Sequence, residues 1–285
     1  METIEITVTP SGAACGVEVG GVDASKPLDA RTVATLREAW LKHLVLVLRG
    51  QDLGPDDQKR LCGYFGQVGA YHRPRERQNT NYASDTVMLV SNIRENGQPI
   101  GALPDGEMMW HSDTAYSERP HMATTLFAVE VPTTGGNTLF ANQYMAYEAL
   151  PERLKARLEG AMAMNAYEFG TTIKAELRYE REKVPHFIHP VCRRHPETGR
   201  TALYVNELMT EEIVGFPEEE SRAILDELFA IQSRPEFVYT HHWRPGDFVM
   251  WDNRCSLHAR TDFPREQRRL LRRITIEDAS PVLVA

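Results

Sequence analysis

Apolar positions along the chain follow two periods. Over residues 31–43 (RTVATLREAWLKH), Val33, Leu36, Trp40 and then Leu44 recur at helical spacing, which predicts an amphipathic helix. The unbroken run Leu44-Val-Leu-Val-Leu48 reads as a buried strand. Pro55 then opens a second short helix that runs through Phe65, since proline suits a first turn. Together they make a helical N-terminal region over about residues 30–65. Further on, residues 123–131, 137–142, 201–206, 246–251 and 270–277 are short β-branched or alternating runs bounded by Gly, Pro or Asn, and read as strands. Two helical pieces interrupt them, 143–160, broken near Pro151, and 217–231. In the second, Ile224, Leu225, Leu228 and Phe229 form the buried face. Segments 71–109 and 165–188 lack clear periodicity and read as long, lid-like loops.

Helices and strands do not alternate regularly, so the expected fold is mainly β with helical insertions, a jelly-roll sandwich of the double-stranded β-helix kind. No repeat or linker-like stretch divides the chain, and residues 1–285 are expected to form one domain. There is no Gly-rich phosphate loop after a strand and no GxSxG elbow, which removes the commonest nucleotide-binding and hydrolase readings.

Composition narrows the function classes. Hydrophobic residues make up 42% and charged residues 25%, ordinary values for a globular protein. A formal net charge of −8 without a Lys/Arg-rich tract argues against nucleic acid or an anionic membrane as partner. The first nine residues alternate like a strand and lack the basic and apolar regions of a secretory signal. Four scattered cysteines without a CxxC pair suit reduced core thiols in a cytoplasmic protein.

The chemistry concentrates in Trp110-His-Ser-Asp-Thr-Ala-Tyr116. His111 and Asp113 are two apart, so on a strand both side chains leave one face. His258, after a second strand, supplies a third ligand. Two histidines and one carboxylate leave adjacent coordination positions open, a set suited to iron(II) oxygenases. An HxD pair alone is weak evidence, because random sequence produces it often. Arg269 follows His258 by eleven positions in the run Arg268–Ile276, where Arg269, Leu271 and Arg273 share one strand face. Two guanidinium groups facing a pocket call for anions, and a dicarboxylate co-substrate and an acidic substrate would supply them. From charge alone, a solvated basic edge strand is the simpler account.

The order and spacing of many pieces settle the preference. They are Gly20-Gly-Val-Asp23, Leu46-Val-Leu-Arg49-Gly-Gln51, Tyr64-Phe-Gly66, Trp110-His-Ser-Asp113, Pro132-Thr-Thr-Gly-Gly-Asn-Thr138, His189-Pro-Val191, Tyr204-Val-Asn-Glu207 and Trp251-Asp-Asn-Arg254. In these, the chain resembles the taurine dioxygenase and 2,4-dichlorophenoxyacetate dioxygenase family of iron(II)/2-oxoglutarate oxygenases over nearly its whole length. The resemblance implies that His111, Asp113 and His258 hold Fe(II). It implies that Arg269 and Thr138 bind the distal carboxylate of 2-oxoglutarate, and that Arg273 grips the acidic end of the substrate. His72, Thr114 and Met209 fall at substrate-binding positions, with Gly170 and Thr171 beside them. His72 aligns only with one inserted residue, and otherwise Tyr71 takes its place.

The implied reaction consumes O2 and 2-oxoglutarate, releases succinate and CO2, and hydroxylates an unactivated C–H of a small acidic substrate. A carboxylate at position 113 points to hydroxylation and not halogenation. Sulfonates, aryloxyalkanoates and other carboxylates are the candidate substrates, and a homodimer or homotetramer is the implied assembly. Desaturation at the same iron centre, a non-catalytic jelly-roll binding protein and a zinc hydrolase are the alternatives. The hydrolase requires a general base beside the metal, and none stands out.

Of the remaining histidines, His186 and His189 would point to opposite faces of a Pro-bounded strand, and the adjacent His241 and His242 would do the same. His195, in the turn-like His195-Pro-Glu-Thr-Gly199, is expected at the solvated surface.

Overall fold

The computed structural model describes residues 5–70, 86–102, 106–168, 171–172 and 180–285. Two sheets face each other. The larger has seven strands in the order Thr7–Pro10, Val17–Gly20, Val45–Leu48, Phe248–Asp252, Ala123–Glu130, Leu270–Ile276 and Met88–Ser91. The smaller has four, in the order Val238–His241, Thr138–Asn142, Ser256–Arg260 and Met108–His111. Strands far apart in sequence lie side by side in both, as a jelly roll requires.

Alternation along the large-sheet strands builds two separate cores. Val45, Val47, Leu126, Ala128, Val249, Trp251 and Leu271 turn inward, and meet Phe140 of the small sheet. Leu46, Leu48, Phe127, Phe248, Met250, Ile274 and Ile276 turn outward and pack under the N-terminal helices through Leu36, Trp40, Leu61 and Cys62. Fully burying one such side chain contributes roughly 1.5–3 kcal/mol. A sheet covered on both faces explains why Leu44–Leu48 carries no polar position.

The helices are Ala30–His43, Pro55–Gly63, Gln143–Glu148, Glu152–Leu158 and Glu218–Gln232. Asp29 caps the first, its carboxylate accepting from the Thr32 amide over 2.7 Å. Pro151 divides the third from the fourth, as its missing N–H and fixed φ predict. Leu154, Leu158, Ile224, Leu225 and Leu228 close a third apolar cluster against the strand Met162–Ala166, remote from the sandwich interior.

Two expectations about this architecture are corrected. The segment 71–109 is not one loop. It contains the edge strand Met88–Ser91, the hairpin Arg94–Glu95 with Gln98–Pro99, and the strand Met108–His111. The hairpin pairs locally, whereas Met88–Ser91 and Met108–His111 are short and pair with distant strands. Met88–Ser91 pairs with Leu270–Arg273. Residues 165–188 likewise begin at the end of Met162–Ala166, and their far end enters His186–Pro190, which pairs back on it. Second, His195 is buried, 1% exposed, and not solvated. Its turn brings Nε2 to 3.0 Å from Asp252 Oδ2, while Nδ1 accepts from the amides of Glu197 and Thr198, so the ring hydrogen sits on Nε2. All four cysteines are buried and unpaired. Among the described residues, no helix is long and apolar enough to cross a membrane.

Candidate metal centre and 2-oxoglutarate site

The small sheet sets up the centre. Met108–His111 pairs antiparallel with Ser256–Arg260 so that His111 stands directly across from His258, their ring centroids 4.0 Å apart. The strand ends at His111, so Asp113 does not share its face by strand alternation as expected. A turn delivers it instead. Thr114 adopts φ 59, a left-handed conformation costly for a non-glycine residue. Its hydroxyl offsets that cost by donating to the Asp113 carbonyl over 2.7 Å and accepting from the His121 amide over 2.9 Å.

Nε2 of His111 lies 4.0 Å from Asp113 Oδ1, and Nε2 of His258 lies 3.9 Å from Oδ2. Ligands about 2.1 Å from one ion can stand up to roughly 4.2 Å apart, so both spacings suit a shared first-row metal. His111 Nδ1 contacts the Met109 carbonyl at 2.8 Å, and a carbonyl only accepts. The ring hydrogen is therefore on Nδ1 and the Nε2 lone pair faces the other ligands. Burial holds both imidazoles below their usual pKa, hence neutral, His258 well below. Burial would raise the Asp113 carboxyl, but the Arg273 guanidinium, with the Thr124 hydroxyl, outweighs it and keeps the group ionised. Neutral imidazoles and a carboxylate are the protonation states a cation requires.

Arg269 lies just before Leu270–Ile276 and is 1% exposed. Its Nε and Nη1 have no hydrogen-bond partner among the described residues. Burial pulls this guanidinium down to about 9, with Arg260 adding repulsion. Thr138 stands in the same pocket. Its Oγ1 accepts the Trp243 indole N–H over 3.0 Å, which leaves the hydroxyl hydrogen for a ligand. The Gly-Gly turn before Thr138 keeps this floor open. Gly136 has φ +62, and a Cβ there would sit 2.9 Å from Pro132 Cγ and 3.6 Å from Arg269 Nε. A buried cation with unsatisfied donors beside a free hydroxyl is a site for a carboxylate.

Arg273 projects from the same face as Arg269. Its Nη2 lies 2.9 Å from Asp113 Oδ2, and its Nη1 contacts the Met88 sulfur at 3.9 Å. The three metal candidates, Thr114, Thr138, Met209, Arg269 and Arg273 all line one cavity of about 690 Å³. Tyr116 and Tyr167 stack at 5.3 Å on its wall, and Met209 packs in the same cluster. Thr171 falls outside the lining residues, and His72, Tyr71 and Gly170 lie outside the described residues.

Sequence reasoning missed four contributors. Arg260 lines the cavity beside Arg269 and donates to the Gly106 carbonyl. Trp243 orients Thr138. Thr124 and Asn253 stand behind Asp113, Thr124 donating to its Oδ2 over 2.5 Å. The even spacing of Thr124 with Leu126 and Ala128 was the one available signal that Thr124 faces inward.

The family model described as "Taurine catabolism dioxygenase TauD, TfdA family" matches residues 7–275. The chain belongs to this family. It is 36% identical to pentalenolactone F synthase of Streptomyces avermitilis, an alignment covering 95% of this chain and 93% of that protein. It is 33% identical to the alpha-ketoglutarate-dependent 2,4-dichlorophenoxyacetate dioxygenase of Cupriavidus pinatubonensis, covering 94% and 96%. A solved taurine dioxygenase from Burkholderia xenovorans superposes with a TM-score of 0.80 at 30% identity, over 97% of this chain and 92% of that one. The structure of AAD-2 in complex with Mn(II) and N-oxalylglycine superposes at 0.81 and 28% identity, over 98% and 99%. The protein is thus a 2-oxoglutarate-dependent dioxygenase of jelly-roll fold that uses Fe(II), 2-oxoglutarate and O2.

Proposed function

We propose that residues 1–285 act as one catalytic domain that hydroxylates an unactivated C–H of a small acid with a bulky apolar body. His111, Asp113 and His258 hold the iron. The bound metal supplies the oxidative chemistry, coupling decarboxylation of 2-oxoglutarate to attack on the substrate. The protein's residues bind, orient and exclude water. Arg269 and Thr138 take the distal carboxylate of 2-oxoglutarate, and Arg260 adds positive potential beside it. Arg273 takes the substrate acid with the donors that Asp113 leaves free. Met209, Tyr116 and Tyr167 add an apolar, aromatic part to the same cavity lining, which favours an aryloxyalkanoate or another bulky carboxylate over taurine. Thr114 serves the turn that presents Asp113, its hydroxyl engaged with the Asp113 carbonyl and the His121 amide, and lines the cavity. A homodimer or homotetramer is the proposed assembly, which light scattering tests.

The observation that carries this reading is Arg269, a fully buried cation with open donors, lining the cavity into which three metal-ligand side chains converge. Its test is a panel of acids incubated with iron(II), 2-oxoglutarate and O2, read out as succinate. Aryl or other bulky carboxylates should stimulate succinate formation well above taurine. Equal stimulation by taurine, or by neutral analogues lacking the acid, would overturn the substrate assignment.

A further inference from the structure

Behind the metal centre, a chain of hydrogen bonds runs in one direction. The Trp251 indole N–H, which can only donate, gives its hydrogen to Asn253 Oδ1 over 2.9 Å. That assigns the amide: Asn253 Nδ2 is the opposite end, and it donates to Thr124 Oγ1 over 3.0 Å. With its oxygen accepting from Asn253, the Thr124 hydroxyl donates onward to Asp113 Oδ2 over 2.5 Å. Every member from Trp251 to Thr124 is 1% exposed or less. Asn253 is also held by its backbone, its N–H donating to the Met122 carbonyl over 3.0 Å and its carbonyl accepting from Ser112 Oγ over 2.8 Å. Ser112 lies between His111 and Asp113, so the turn carrying two ligands is tied to Asn253, the middle residue of the relay.

From this geometry we infer that Thr124 and Asn253 are positioning residues that commit Asp113 Oδ2 to the protein and leave Oδ1 for the metal. The inference rests on the ligand set proposed above. Oδ2 already takes the Thr124 hydroxyl and Arg273 Nη2, two donors that hold the carboxylate plane. Oδ1 lies 4.0 Å from His111 Nε2, while His258 Nε2 stands 3.9 Å from Oδ2. A single free oxygen sets one coordination position for Asp113, and keeps the remaining positions for 2-oxoglutarate and O2. Without the Thr124 hydroxyl the carboxylate rotates, and Asn253 Nδ2 is left buried without its acceptor.

The test is the affinity of the purified full-length protein for Mn(II), followed by the electron paramagnetic resonance of the free ion, with unfolding midpoints measured in parallel. Thr124→Val keeps the side-chain shape and removes the hydroxyl, and should weaken Mn(II) binding roughly 10- to 100-fold. Thr124→Ser restores the donor and should bind within about 3-fold of wild type. Thr125→Val removes the neighbouring buried hydroxyl, which donates to the Ile274 carbonyl on the other face of the strand. It should lower the unfolding midpoint comparably and leave Mn(II) affinity unchanged. Should Thr124→Val fail to fold, Thr124→Ala removes the hydroxyl without adding bulk and should show the same loss. Wild-type affinity in Thr124→Val or Thr124→Ala would overturn the relay, as would Thr124→Ser weakened as much as Thr124→Val. Failure of the wild type to bind Mn(II) would instead overturn the ligand set itself, and the relay with it.

Discussion

Arg273 donates from Nη2 to Asp113 Oδ2 across 2.9 Å, so the proposed grip for the substrate acid also touches the carboxylate of the proposed metal site. The guanidinium carries five donors in a planar fork, so engaging Asp113 still leaves donors for a second anion. The proposed substrate and metal sites therefore share one cation, and a lysine, with a point charge on a flexible stem, would not replace it.

Arg273→Ala should raise the substrate KM roughly 30- to 150-fold, the loss of about 2–3 kcal/mol from a charge-assisted hydrogen bond. The KM for 2-oxoglutarate should change by less than about 3-fold, since Arg269 and Thr138 are untouched. Steady-state kinetics with each substrate varied in turn make the comparison. Equal effects on both constants would undo the division between the two arginines.

Arg269→Met gives the reverse pattern and a stability signature. A buried guanidinium with unsatisfied donors is costly, so the methionine variant should unfold later than wild type without ligand, by about 1–3 kcal/mol. Wild type should gain stability on adding 2-oxoglutarate, whereas the variant should not. Thermal denaturation with and without the keto acid checks both halves.

Trp243→Phe removes the donor that fixes the Thr138 hydroxyl, while keeping an aromatic ring in place. The freed hydroxyl can then turn away from the ligand, and the KM for 2-oxoglutarate should rise about 5-fold, consistent with loss of roughly 1 kcal/mol. Substrate KM should be unaffected.

Acid stability should depend on Asp252. Burial would raise its pKa, but Arg254 and His195 outweigh that and hold it well below the ordinary 3.8. A folded-state pKa below the unfolded one contributes stability that is fully present above about pH 4 to 5, and is lost as pH falls through 3.8 and below. Urea unfolding of wild type should weaken over that acid range. Asp252→Asn should lower stability near neutral pH by about 3–5 kcal/mol, because buried Arg254 loses its charged partner and the Oδ2 that accepts from its Nη2, and should flatten the acid slope. An unchanged slope in the variant would assign the acid sensitivity elsewhere.

Legibility from sequence followed the range of the interactions. Arg269, Leu271 and Arg273 could be placed on one face because a strand's period of two is local, and the structure turns Leu271 and Arg273 inward together. The helices at 31–43 and 217–231 were legible for the same reason. His195 was misjudged because its own neighbours read as an exposed turn, while the partner that buries it is 57 positions away. The Asp113 turn was misjudged because two-residue spacing suggests a strand, whereas Thr114 at positive φ ends it. Thr124 left only its even spacing with Leu126 and Ala128 as a local trace, and Asn253 left none. They are 129 positions apart, ordinary residue types, and acquire meaning only when the sheets stack. Met88–Ser91 was hidden likewise, since its strand character comes from pairing with Leu270–Arg273.

The central claim is that His111, Asp113 and His258 hold one iron at which 2-oxoglutarate is consumed. Succinate formed by anaerobically purified protein, given iron(II), 2-oxoglutarate, an acid substrate and O2, tests it most directly. Wild type should produce succinate only with iron present, and His111→Ala and His258→Ala should each lose at least about 100-fold of that rate. Undiminished succinate from either folded variant would contradict the assignment.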